Sequence, residues 1–171
     1  MSTTKSEDTR DAKASTPEKI LPWVGLGARL LTGVVWVIAG GIKLSDLKQS
    51  VYAVNAYQIL PTGLARVVGI GLPLLEVGVG VLLILGLATQ AAGALSTVMQ
   101  LAFIIGISAA WARGLSIDCG CFGGGGQLAA GQHPVYIWDI LRDVGLLLCS
   151  ALLVWRPRTK FSADQMIFTT K

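Results

Sequence analysis

Four runs of about 20 mostly apolar residues, at about 23–44, 67–87, 90–111 and 135–155, constrain this chain more than any other feature. A helix needs about that length to cross a hydrocarbon layer of about 30 Å. The predicted fold class is therefore all-α, an integral membrane four-helix bundle. The composition agrees, with 53% of the 171 residues hydrophobic and only 14% charged, where a soluble domain carries about a quarter.

Few residues lie outside these runs. Residues 1–19 carry no large apolar side chain after Met1 and are expected to form a disordered tail. The bundle is expected over 20–155 and a second tail over 156–171. The first run follows about 20 polar residues and is too long for a signal-peptide core, so it reads as an uncleaved anchor. The stretch "STPEK" resembles a helix start, with Thr16 as cap, Pro17 at the first position and Glu18 favoured by the helix dipole.

The net charge of +4 does not point to nucleic acid, because the basic residues are not clustered with aromatics on one element. They gather at the chain ends: Lys5, Arg10, Lys13 and Lys19 precede the first run, and Arg156, Arg158 and Lys160 follow the last. By the positive-inside rule both termini are expected to be cytoplasmic. Residues 112–134, after three crossings, then lie outside the cytoplasm, where disulfides form and persist.

That outer segment contains "SIDCGCFGGGGQL", residues 116–128. A disulfide needs Cα atoms about 4.4–6.8 Å apart, which residues two apart reach only when the chain bends, and Gly120 permits the bend. A bridge between Cys119 and Cys121 closes too small a ring to act as a staple, and strained exposed disulfides are the labile, catalytic ones. Three readings stand side by side. One is a thiol/disulfide redox pair. A second is a metal site using Cys119, Cys121, Asp118 and His133, although a single intervening residue is short for zinc. The third is a loop without chemistry. Gly123–Gly126 reads equally as a flexible connector or as a bare segment that lets a partner approach or folds down onto the membrane surface. Without a preceding strand or a following Gly-Lys-Ser/Thr it is not a phosphate loop. Cys149, about 21 Å below the outer end of the last run, is out of reach of the pair and reads as a small hydrophobe.

Arg29, Glu76, Asp139, Arg142 and Asp143 fall inside the runs, where each needs a partner. Arg29, about 9 Å from the cytoplasmic end, and Glu76, about 15 Å from it, are predicted to meet, either as an ion pair fixing helix register or as a proton or quinone site. Asp139, Arg142 and Asp143 share one helix face at i, i+3 and i+4. That face is expected to look inward, to meet Lys43 and to lie under the cysteines, where Arg142 or Arg113 would lower a thiol pKa. Trp111, Trp138 and Trp155 read as interfacial aromatics. Residues 45–65 suggest a short surface helix bearing Leu47, Val51 and Val54, ended by Pro61 and forming a lid beside the cysteine loop. No inverted repeat or matched broken helices suggest a transporter.

In order, "GGIKLSD", "YQILP", "LPLLEVGVGVLLILG", "DCGCFG" and "WDILRD" resemble the MauE/DoxX family of four-helix membrane proteins, in its MauE branch, over residues 25–155. The resemblance implies a redox-associated bundle in the cytoplasmic membrane with an extracytoplasmic thioredoxin-like or disulfide-oxidase partner. Members named for methylamine utilisation are associated with maturing a disulfide-rich periplasmic dehydrogenase subunit, and DoxX/DoxD relatives with quinone and sulfur oxidoreduction. The resemblance makes Cys119 and Cys121 the redox pair, Asp118, Gly120, Phe122 and Gly123 their frame, and Glu76 and Arg142 matching span residues. The glycine run and the "QLAAGQHP" insert depart from the family pattern by adding length before the last run. The functional expectation is a membrane thiol/disulfide carrier, with a quinone as candidate cofactor; the alternative is a non-enzymatic assembly factor.

Overall fold

The structure is a computed structural model that describes residues 16–121, 125–128 and 134–155. Residues 1–15 of the expected amino-terminal tail, the whole carboxy-terminal tail, and Phe122, Gly123 and His133 lie outside the described residues. The described residues form five helices and one minimal hairpin: α1 (Thr16–Ser45), α2 (Leu47–Ala56), α3 (Thr62–Leu85), α4 (Thr89–Ala112), β1 (Ile117–Asp118), β2 (Gly126–Gln127) and α5 (Tyr136–Trp155).

Three of the helices are long and apolar enough to cross a membrane, over Pro22–Ser45, Thr62–Leu85 and Thr89–Ala112. That is the make-up of a multi-pass membrane protein. Large apolar side chains point away from the bundle along all of them, Leu31, Val67, Val98 and Ile105 among the most exposed, as expected of surfaces solvated by lipid tails. The 20-residue α5 carries three charges in its first half.

The first helix begins at Thr16, within a residue of the start read from "STPEK". The third begins at Thr62, five residues before the apolar run, because Pro61 with its fixed φ of −57° serves as its N-cap residue.

The closest packing joins α1 to α3. Because lipid tails are as apolar as leucine, helices in a membrane associate through close backbone approach, which small residues allow. A Cβ at Gly80 would stand 2.7 Å from the Gly33 carbonyl oxygen, and one at Gly40 2.8 Å from that of Pro73. Deeper in the bundle the indole of Trp36 donates to Ser96 Oγ at 2.7 Å, and Ser96 and Ser150 hydroxyls pair at 2.8 Å. This buried chain links α1, α4 and α5 within an apolar cluster that includes Val79, Leu83, Met99 and Leu153, with Cys149 packed against it.

The short helix α2 lies differently from its sequence reading. Its buried stripe is Ser50, Ala53 and Ala56, while Leu47 is exposed. Small residues face inward because the helix is pressed against α3: a Cβ at Gly69 would meet the Val51 backbone at 2.7 Å. One further contact explains the placement. Pro73 has no N–H to offer the Gly69 carbonyl four residues earlier, and the Ser50 hydroxyl donates to that carbonyl instead, at 2.7 Å. The helix also stops at Ala56 rather than at Pro61, since Gln58 takes a left-handed conformation (φ 52°) that turns the chain.

Replacing Gly80 by Ala should cost about 1–3 kcal/mol through overpacking against a backbone that cannot yield. Gly78→Ala, with open space around its Cβ, should be neutral or gain up to about 1 kcal/mol from helix propensity. Thermal unfolding in detergent, followed by tryptophan fluorescence, compares the two.

Candidate functional site

The cysteines sit in the loop of the hairpin, in which Ile117 pairs with Gln127 and Asp118 with Gly126. Two tyrosines fasten it to the bundle. The Tyr136 hydroxyl accepts from Ile117 N–H at 3.1 Å and donates to the Leu115 carbonyl, and the Tyr57 hydroxyl donates to the Cys119 carbonyl at 3.0 Å. Burial first, then the nearby Cys121 and Cys119 sulfurs, push the Tyr57 phenol above its ordinary pKa, so it remains a donor. Asp118 closes the loop from within: Oδ1 accepts from Gly120 N–H at 3.5 Å and Oδ2 from Gly125 N–H at 3.4 Å.

Two of the glycines are there for close approach rather than slack. A Cβ at Gly125 (φ 78°) would stand 2.7 Å from both Ala53 Cβ and Gly120 Cα, and one at Gly126 (φ 97°) would overlap the Tyr52 ring. The loop thus folds down onto α2, where Gln49 also donates to the Gly125 carbonyl at 2.8 Å.

Cys119 and Cys121 are both free thiols, and both are buried. Gly120, at φ 68°, bends the chain between them so that Cys121 N–H donates to Cys119 Sγ at 3.5 Å. The two side chains also hydrogen-bond, and this chiefly lowers the Cys119 pKa below that of an ordinary thiol. Burial opposes the shift, and the Cys121 N–H and the Arg142 guanidinium, with Nη2 3.9 Å from the sulfur, support it. Cys121 moves the other way, held well above its ordinary value because it is the donor in that bond and because it is buried. The bond between the two sulfurs thus sets them apart, easing Cys119 toward the thiolate and holding Cys121 toward the thiol.

Arg142 is itself held on both sides, by Asp139 Oδ1 at 3.3 Å and Asp143 Oδ1 at 2.9 Å. The three residues form one inward face of α5, beneath the cysteines. Arg113, the other candidate cation, instead donates to the backbone carbonyls of Tyr57 and Gln58 at the turn after α2.

The two sulfurs open on different spaces. Cys119 lines a partly open cavity of about 200 Å³ between α1, α2 and the loop, with Lys43, Asp46, Gln49 and Tyr57 also on its wall. Cys121 lines an inner cavity of about 20 Å³ with Lys43, Glu76, Gln100 and Asp143.

Glu76 does not meet Arg29. Its partner is Lys43, whose Nζ lies 2.5 Å from Glu76 Oε1 with the Glu76 side chain fully buried, and whose ammonium sits 5.1 Å above the Phe103 ring. The antiparallel register explains the correction. Gly33 faces Gly80 and Ile84, and Gly40 faces Pro73 and Glu76. Arg29 therefore lies level with the carboxy-terminal end of α3, about ten residues or 15 Å along the axis from Glu76. Depth from an assumed membrane edge misjudged this, because α1 and α3 start at different heights. Among the described residues no group of three His, Cys, Asp or Glu side chains is arranged to hold a metal ion, and both Asp118 oxygens are engaged by backbone N–H groups.

Tyr57, Tyr136, Ala53, Gln49 and Gln100 belong to the site without having been singled out in the sequence. Each reads there as an ordinary helix or turn residue, and only the folded chain brings it to the cysteines.

Apolar spanning helices with a paired-thiol hairpin packed on one end define a helical membrane protein with a buried dithiol. The chain belongs to the MauE family: the family model for methylamine utilisation protein MauE matches residues 21–156. Membership implies a membrane protein associated with methylamine utilisation. No curated protein and no solved structure matches the chain.

The pH dependence of alkylation should reflect the shared proton. Iodoacetamide should modify Cys119 with a half-point below that of an ordinary cysteine, since reactivity follows the thiolate. In Cys121→Ala the main stabilising bond is gone while part of the burial remains, so the half-point should rise. Mass spectrometry of the modified hairpin peptide across pH reads both.

Proposed function

We propose that this protein is a membrane thiol/disulfide exchange protein in which Cys119 attacks and Cys121 resolves. In this reading α5 is a fourth span, its apolar outer face of Ile137, Leu141 and Leu148 turned to lipid and its charged face turned to the bundle. Both termini are cytoplasmic, and the hairpin is extracytoplasmic. The observation that carries the reading is the asymmetry of the pair: one sulfur at a partly open cavity, approached by its neighbour's backbone N–H and by an arginine, backed by a second sulfur on an inner cavity.

The cavity in front of Cys119 admits a partner sulfur. Cys119 thiolate attacks the disulfide of an extracytoplasmic thioredoxin-like or disulfide-containing protein, one partner sulfur leaves as thiolate, and a mixed disulfide remains. Cys121 then attacks Cys119 Sγ, releasing the second partner sulfur and leaving the Cys119–Cys121 bridge. Exchange of this kind suits a role in maturing a secreted, disulfide-rich enzyme. The loop can also act in reverse, donating its bridge to a partner dithiol.

A second reading, oxidation of the dithiol by a membrane quinone, is favoured by an apolar groove of about 530 Å³ between α2, α3 and α4 that shares Val54, Tyr57, Leu72 and Phe103 with the Cys119 cavity. In that case a short-chain ubiquinone reoxidises the reduced protein anaerobically, with one hydroquinone formed per bridge.

In intact cells, Cys121→Ser should accumulate a mixed disulfide with an extracytoplasmic protein, whereas Cys119→Ser should not. An impermeant maleimide should reach Cys119 from outside. Capture undiminished in the double serine variant, or labelling only after the bilayer is breached, would sink the reading.

A further inference from the structure

The inner cavity sets several charged and polar side chains among the apolar walls of Trp36, Ala39 and Phe103, and exchange at the hairpin does not by itself account for them. Its walls bring together Lys43 from α1, Glu76 from α3, Gln100 from α4, Asp143 from α5 and Cys121 from the loop. The side chains of Glu76 and Asp143 are 0% and 4% exposed, and each leaves one carboxylate oxygen, Glu76 Oε2 and Asp143 Oδ2, with no hydrogen-bond partner among the described residues. An unsatisfied carboxylate oxygen in such a place carries the full desolvation penalty of the group. Ion pairing does not require it either, since Lys43 and Arg142 bind the opposite oxygens, Glu76 Oε1 and Asp143 Oδ1. The volume of about 20 Å³ is room for one water.

Resting on the exchange reading, we propose that Asp143 is the proton acceptor for Cys121, reached through one water in the inner cavity, with the Lys43–Glu76 pair behind it holding the site polar. The steps balance as follows. Cys119 thiolate forms the mixed disulfide and the first partner thiolate leaves. The Cys121 S–H proton passes to the cavity water, which gives one of its own protons to Asp143 Oδ2, leaving a carboxylic acid. Cys121 sulfur then bonds to Cys119 sulfur, the Cys119–partner bond breaks, and the second partner thiolate leaves. The partner disulfide gains two electrons, the cysteine pair loses two, and the proton stays on Asp143 until the bridge is reduced.

Geometry gives Asp143 this task in preference to its neighbours. The groups facing it are Arg142 and Asp139 on its own helix, Lys43 from α1, Glu76 from α3 and Cys121 from the loop. Asp139 is turned to Arg142 Nη1 and does not line the inner cavity. Glu76 lines it too and, like Asp143, is ion-paired through one oxygen, but of the two carboxylates it is Asp143 whose charge bears on Cys121. A resolving thiol held in its protonated form makes an acceptor necessary, because only the thiolate attacks.

The test uses the full-length reduced protein in nanodiscs and one equivalent of 4,4′-dithiodipyridine. Attack by Cys119 releases the first thiopyridone and resolution by Cys121 the second. In Asp143→Asn the second release should slow relative to the first by about 10²-fold at pH 7, with a rate that climbs as hydroxide replaces the carboxylate; Asp143→Glu should restore much of it. On the unaltered protein, infrared difference spectra on oxidation of the pair should show the carbonyl band of a newly protonated carboxyl group. No such band, or an Asp143→Asn protein resolving with the rate and pH profile of the parent, overturns the acceptor role alone. A parent protein that releases one equivalent, as Cys121→Ser does, overturns the exchange reading and this proposal with it.

Discussion

Charge in a low-dielectric interior is the constraint on which the hairpin end of this molecule depends. Lys43 and Glu76 are both buried in a bundle whose outer surfaces are apolar. Neither is tolerable alone: removing one partner of a buried pair typically costs about 3–5 kcal/mol, against about 0–1 for an exposed one. Their pairing therefore sets the rotation of α1 against α3, already brought close by Gly33, Gly40 and Gly80. With α1 and α3 fixed in that rotation, Lys43 also faces Phe103 on α4 and the cavity shared with Asp143 and Cys121. Electrostatics around the cysteines are thus inherited from a contact between two helices that carry no sulfur.

Much of the fold was legible because it follows from one-dimensional signals. Apolar length marked α4 and α5 to within a residue and α1 and α3 apart from their first turns, and the placement of Asp139, Arg142 and Asp143 at i, i+3 and i+4 marked an inward face of α5. What escaped depends on relations between helices. The partner of Glu76 follows from a register set by glycine contacts, which hydropathy cannot see. The buried stripe of α2 was misread because burial against a tightly packed neighbour selects Ser and Ala, whereas a membrane-surface helix would use Leu47, Val51 and Val54. Cys-Gly-Cys stood out as a motif, yet the difference between its two sulfurs, set first by the bond between them, depends also on Arg142 and Asp143, more than 20 positions away in sequence.

That difference shows how little chemistry is needed to give two identical side chains separate tasks. Gly120 supplies the bend that sets one sulfur against the other's backbone and side chain. A single guanidinium then reaches Cys119, while Asp143 and the inner cavity lie toward Cys121. Tyr57 and Tyr136 keep the arrangement in place by holding backbone carbonyls and an amide, leaving the sulfurs themselves untouched.

The proline in α3 has a consequence for how anything reaches Cys119. Because Ser50 takes up the carbonyl that Pro73 leaves open, α2 cannot peel away without stripping a backbone oxygen bare beside hydrocarbon, where each such group costs several kcal/mol. The short helix is a fixed doorpost and not a swinging gate. The mouth of the Cys119 cavity therefore keeps its shape, and that shape limits what can come within reach of the sulfur.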